Sequence, residues 1–313
     1  MTVTSPPLAP GTRVGSYVVR GVIAQGDVAT VYEAAHLVVP RRVALKVLRA
    51  EMVGTAHAAQ RVLRQGCVLE ALAHPGVVRS FDCGVLADGR SWIAMELVEG
   101  MPLSVMFERM GRLPIAAVVD LTAGMLDVVA AAHALGIAHC DLDPSHIVIA
   151  ASGPTGVRVL GWGLARQPDR SVPTAGSILD GAAERVDEAL ADRRADVYAL
   201  GAIAYQAATG HPAEAATPVA GIRQLHARST PVRALRLGLS LRFAAIIESM
   251  LASDPAERPT AAELVVQLAR LGDDPYHELV VVPGRAPTDP VLTLVPPPSP
   301  LPVDRDWELL IAS

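Results

Sequence analysis

The chain has 313 residues, 51% of them hydrophobic and 19% charged, which is enough apolar content to bury a sizeable core and too much for a disordered protein. Its formal net charge of −5 speaks against the basic surplus of a nucleic-acid binder. Cys67, Cys83 and Cys140 are odd in number and lack metal-ligand spacing, so neither a disulfide framework nor a zinc site is expected.

Residues 1–12 are Pro-rich, carry prolines where a secretory leader needs an apolar run, and are expected to be flexible. From Tyr17 to Glu33, and again from Arg41 to Leu48, β-branched runs around a glycine predict an antiparallel hairpin. An Ala- and Leu-rich helix is predicted over 56–73, stopped by His74-Pro75-Gly76. Two more strands, VVRSFDCGV and SWIAMELV, flank an Ala87-Asp88-Gly89 turn. Pro114 then opens a long helix that stops at Gly136, and later helices fit 186–208, 241–251 and 260–271. A β-rich half followed by an α-rich half reads as α+β. The most membrane-like apolar run, Val197 to Ala208, is too short to span a bilayer, so a cytoplasmic chain with no membrane partner is expected. The Pro-rich tail over 273–313 is expected to be disordered.

Several local strings occur in a telling order: IAQGDVATVYEA, VALK, HPGVV, MELVEG, AHALGIAHCDLDPSHIVI, VRVLGWGLAR, ADVYALG and DPAERPT. In that order they resemble the bacterial Ser/Thr protein kinase family over 13–272. The resemblance implies a two-lobed fold, with an N-lobe over 13–98, a C-lobe over 99–272 and an ATP cleft between them. It implies nucleotide-binding positions at Gly26, Val31, Ala44, Lys46, Met95, Glu96, Leu97 and Val148. Plain core packing is the rival reading for the apolar ones. Lys46 is the sole lysine among 27 basic residues, so arginine is the default here and a lysine at the phosphate-contacting position is selected against that bias. His139, Trp162, Glu184, Asp196 and Arg258 match framework positions, with Glu184 and Arg258 as an ion pair and Asp196 as the anchor of the catalytic loop.

The departures from the family pattern concern chemistry. Gly26 is flanked by Ala24 and Ala29 where two further glycines would approach phosphate. Gln65 stands where a glutamate would pair with Lys46, or is a solvated helix residue. Asp141 takes the position of the catalytic base, or serves only to support its loop. Cys140 replaces an arginine, either as a reactive thiol or as a small filler. Asp143 replaces a lysine; about 4 Å from a phosphate oxygen it would repel by roughly 4 kcal/mol at an effective dielectric near 20. His146 replaces a magnesium-binding asparagine, and Gly161-Trp162-Gly163 stands where an aspartate would hold that ion.

These departures lead to a pseudokinase expectation: a signalling scaffold or allosteric partner for a protein such as an active kinase or its substrate. In that reading ATP is a weak ligand and Mg²⁺ is not expected. A second reading is an unconventional active Ser/Thr kinase using Asp141 as base, Lys46 on the phosphates and acidic side chains such as Asp143 for metal. A third makes the Pro-rich tail the interaction element and the kinase-like domain its carrier.

Overall fold

The computed structural model describes residues 6–151, 156–165, 182–213 and 230–273. Nine strands and seven helices are placed among them. Strands β1 (Arg13–Val14), β2 (Tyr17–Gln25), β3 (Ala29–His36), β4 (Arg42–Leu48), β5 (Ser80–Val85) and β6 (Ser91–Glu96) make one antiparallel sheet, ordered β1-β2-β3-β4-β6-β5. Helix α1 (Ala56–Leu72) lies between β4 and β5 in the chain. The α-rich part follows, with α2 (Leu103–Met110), α3 (Ile115–Ala134), α4 (Ala182–Thr209), α5 (Val232–Leu235), α6 (Leu241–Met250) and α7 (Ala261–Ala269). A small sheet of β7 (Gly100–Pro102), β8 (Ile147–Ala150) and β9 (Val157–Val159) sits among these helices in the chain order. A β-rich N-lobe followed by a helical C-lobe is the two-lobed arrangement that the resemblance implies.

The period of two along β3 and β4 sorts the N-lobe sheet into two faces. Tyr32, Ala34, Val43, Leu45 and Val47 point to one side and close a small core with Tyr17, Val19, Trp92 and Ala94. Their neighbours in sequence, Val31, Ala44 and Lys46, point to the other. The register sets Val31 opposite Lys46, Lys46 opposite Ile93 and Ala44 opposite Met95, so all five share that second face.

Helix α1 covers this second face with a stripe at helical spacing: Ala58, Val62, Leu69 and Leu72 are all buried. Gln65 falls inside the stripe and is 3% exposed, so it is not a solvated residue. The helix ends at Ala73, which adopts a left-handed conformation (φ 38°) directly before His74-Pro75. In the C-lobe, α3 packs on α4 and α7 and buries Leu121, Met125, Val128 and Val129. Helix α3 is, by length and composition, apolar enough to cross a membrane, and is a longer such segment than the run Val197–Ala208. In this fold its apolar faces are taken up by core contacts. Helix α7 opens with a capping box, Thr260 Oγ1 accepting from Glu263 N while Glu263 Oε2 accepts from Thr260 N.

The expectation of a flexible segment over 1–12 is corrected for residues 8–12. Leu8 N donates to the Tyr32 hydroxyl at 2.9 Å, and Gly11 N and Thr12 O pair with Val19. A terminal segment whose backbone is tied to a sheet stays ordered. The tail over 274–313 lies outside the described residues.

Candidate active site

The cleft face of the N-lobe sheet brings its one lysine to α1. Lys46 Nζ donates to Gln65 Oε1 at 2.9 Å, and Gln65 Nε2 lies 3.5 Å from Met95 Sδ. Glutamine is therefore the partner of Lys46, and Glu70, five residues on, is exposed on another face of the helix. Burial pushes the Lys46 ammonium below its ordinary range, the nearby Arg61 charge adds to this, and Asp141 opposes it. Lys46 and Asp141, 95 residues apart, thus feel one another electrostatically across the cleft. Gly163 closes the floor under the pair: a side chain there would begin 3.3 Å from both Lys46 Nζ and Gln65 Oε1.

The loop that carries Asp141 is held from α4. The Asp196 carboxylate, 1% exposed, accepts from His139 N (2.7 Å), Cys140 N (2.8 Å) and His133 Nε2 (2.9 Å). Two of these donors are the backbone N–H of His139 and that of Cys140 itself, a residue with positive φ (64°), a conformation that a non-glycine holds only when its surroundings impose it. His139 is fully buried, its Nε2 donates to the Leu160 carbonyl at 2.7 Å, and its Nδ1 accepts from Asp141 N at 3.2 Å. Burial holds the His139 imidazole below its ordinary value, against the pull of Leu160 and Asp196. Its ring meets Trp162 edge-on at 4.5 Å, and Trp162 Nε1 donates to the Val159 carbonyl, so the tryptophan anchors the start of the Gly161-Trp162-Gly163 turn. The Asp141 side chain itself is left 45% exposed. It is a solvent-exposed carboxylate on a loop whose backbone is held by Asp196 and His139.

Asp143 is also exposed, and it shapes the turn that follows: its Oδ1 accepts from Ser145 N at 2.8 Å, capping the short 3-10 turn Pro144–His146. His146 Nδ1 lies 2.7 Å from the Asp141 carbonyl and 3.9 Å from its Oδ2. Gly161 is left-handed (φ 84°), and an ideal Cβ on it would lie 2.6 Å from His146 Cγ and Cδ2. Positions 146 and 161 therefore offer no side-chain oxygen to a divalent ion, and their carbonyls are taken by Leu160 N and Gly163 N, so Mg²⁺, which takes carboxylate and other oxygen ligands, does not fit there. No group of three or more His, Cys, Asp or Glu side chains that could hold a metal occurs among the described residues.

Val31, Ala44 and Met95 line the same sheet face as Lys46. Val148 is buried in β8, Gly26 is exposed in the β2–β3 turn with its N bonded to the Ala29 carbonyl, and Leu97 is half-buried after β6. Sequence reasoning missed what holds Glu96. Arg158 on β9 donates through Nη2 to Glu96 Oε1 (2.6 Å) and through Nη1 to the Pro75 carbonyl (2.6 Å), fastening the segment after α1 to the end of β6. An arginine in the otherwise apolar run VRVL was its only signal. His133, six residues before His139, was missed in the same way. The Glu184 side chain lies outside the described residues. Arg258 donates to the carbonyls of Ala252, Arg194 and Ser253, and its guanidinium stacks 4.6 Å over the Tyr198 ring. Arg194 donates back to the Arg258 carbonyl.

Comparison with known proteins agrees with this framework. Residues 17–268 match the protein kinase domain family. The chain is 30% identical over 253 residues to serine/threonine-protein kinase PknA of Mycobacterium tuberculosis, covering 78% of this chain and 58% of the relative. It is 32% identical over 268 residues to serine/threonine-protein kinase PknL of Mycobacterium bovis, covering 82% and 65%. The chain therefore spans roughly three fifths of the length of these relatives. The crystal structure of the PknI kinase domain of M. tuberculosis superposes with a TM-score of 0.65 at 25% identity, over 86% of this chain and all of that one.

The expectation of a non-catalytic scaffold is corrected by these relatives, which are named as serine/threonine-protein kinases. The alternative of an active kinase fits them better. That expectation counted replaced side chains singly and gave too little weight to the framework that keeps Lys46 and Asp141 in one cleft. Fold, ordered motifs and relatives together establish that this chain belongs to the protein kinase domain family.

Proposed function

We propose that this chain is a Ser/Thr protein kinase that transfers the γ-phosphoryl group of ATP to a hydroxyl of a protein substrate. The observation that carries the reading is the Asp141 carboxylate, exposed on a loop pinned by Asp196 and within electrostatic reach of Lys46. Phosphoryl transfer asks the protein chiefly for positioning and charge, with one group to take the proton. In the proposed reaction the substrate oxygen bonds to the γ-phosphorus as the bond to the β,γ-bridging oxygen breaks. The bond electrons leave with ADP, and the hydroxyl proton passes to Asp141. Lys46, fixed by Gln65, meets the nucleotide phosphates; Val31, Ala44, Met95 and Val148 supply apolar walls for the base.

Phosphate transfer from labelled ATP to Ser- and Thr-containing peptides tests this, with Mg²⁺, with Mn²⁺ and with chelator. Asp141→Ala is expected to lower the rate about 10²- to 10⁴-fold while leaving the thermal midpoint unchanged. Absence of transfer by the parent protein under all three conditions would overturn the reading.

A further inference from the structure

The His146 ring and Gly161 are pressed together by main-chain bonds on both sides. His146 O accepts from Leu160 N at 2.7 Å, which sets the next residue, Gly161, beneath the imidazole. His146 N donates to the Asp143 carbonyl at 2.9 Å, which fixes the other end. The ring is held in turn by its Nδ1–H, donated to the Asp141 carbonyl at 2.7 Å. The atoms nearest an ideal Cβ on Gly161 are Cδ2 and Cγ at 2.6 Å and Nδ1 at 2.8 Å. Two of these lie at the base of the ring or carry the bonded proton, so the ring cannot swing aside without giving up that hydrogen bond. No side chain at position 161 is compatible with the imidazole where it stands.

We infer that His146 and Gly161 are one unit, in which the imidazole fills the space of a side chain at 161, so that the cleft takes ATP with no divalent ion held at that position. The inference rests on the kinase reading, since it concerns how the same cleft holds its nucleotide. Two replacements that look like separate losses in sequence are a single packing solution. Restoring a carboxylate at 161 requires removal of the ring, and neither change alone rebuilds an oxygen site.

Calorimetric titration of ATP into the full chain, in Mg²⁺ and in EDTA, tests this with the parent, Gly161→Asp, His146→Asn and the double variant. The parent is expected to bind with affinities within about twofold in the two buffers, and the double variant to gain about tenfold in Mg²⁺ alone. Gly161→Asp by itself is expected to gain less than about threefold. A parent that binds only with Mg²⁺, or a single Gly161→Asp variant matching the double one, would overturn the inference while leaving the kinase reading in place. Absence of ATP binding by the parent in both buffers would instead overturn the kinase reading and the nucleotide half of the inference.

The packing half is read without nucleotide. Gly161→Ala is expected to lower the thermal midpoint by about 3 °C or more in the parent, and by less in a His146→Ala background, where the contact with the ring is gone and only the cost of an alanine at φ 84° remains. Equal losses in both backgrounds would show that the ring and position 161 are independent.

Discussion

Lys46 Nζ donates to Gln65 Oε1 at 2.9 Å, so the lone lysine of this chain is paired with a neutral amide. The amide accepts the hydrogen bond but returns no charge. Desolvation of the buried ammonium is therefore left largely uncompensated, and its acid–base balance is displaced downwards. Gln65 is itself 3% exposed within the apolar stripe of α1, and its amide oxygen has the Lys46 ammonium as hydrogen-bond partner there.

Because no other lysine is present, amine-selective acylation read by peptide mass spectrometry reports on this one side chain. The reaction midpoint at Lys46 is expected below 10.5, and Gln65→Glu is expected to raise it by supplying the missing negative charge. Linkage fixes the sign for stability as well. A lysine whose folded value is depressed costs stability while the unfolded chain is charged, and that cost fades as pH rises from the folded value towards 10.5. The stability of Lys46→Met relative to the parent should accordingly decline as pH rises through this range.

Removing the Asp196 carboxylate leaves three buried donors without their acceptor. Asp196→Ala is expected to cost about 3 kcal/mol or more, a fall in thermal midpoint of roughly 6 °C. The positive φ of Cys140 depends on the same carboxylate, so phosphate transfer should fall with stability. An unchanged midpoint would count against the anchor.

His139 is buried in its neutral form, with Nδ1 accepting from Asp141 N. Its folded value lies below 6.5, so the stability it contributes is present above pH 6.5 and is lost as pH falls from there through the folded value. Thermal midpoints between pH 7.5 and 5 should therefore slope less steeply for His139→Asn than for the parent. Identical slopes would place the acid sensitivity elsewhere.

The bond from Arg158 to Glu96 links β9 to the end of β6 with both side chains largely buried, 13% and 21% exposed. Arg158→Met is expected to cost about 2 kcal/mol in urea unfolding. A double-mutant cycle with Glu96→Gln should return a coupling of about 1 kcal/mol or more. Zero coupling would mean that the contact holds nothing together.

Much of the architecture was legible because its causes are local. Period-two runs marked β2, β3 and β4, helical spacing marked α1 and α3, and Pro114 and Gly136 bracket α3 in sequence as they do in space. Helix α2 was missed: eight residues are marginal as an isolated helix, and this one stands because Leu103, Met106 and Phe107 are buried against the rest of the C-lobe. The order at residues 8–12 was missed for a similar reason, since Tyr32, 24 residues away from Leu8, supplies the acceptor.

By itself the sequence determined the strands around Lys46, the helix that carries Gln65, and the ordered motifs that identify the family, because each is a pattern along the chain. Only the tertiary structure decided that Gln65 is buried on Lys46, that His133 joins Asp196, that Arg158 holds Glu96 and that the His146 ring stands where a side chain at 161 would be. The partners in these four contacts are 15 to 63 residues apart in the chain. Such contacts are set by the packing of whole elements against one another, which no local periodicity encodes.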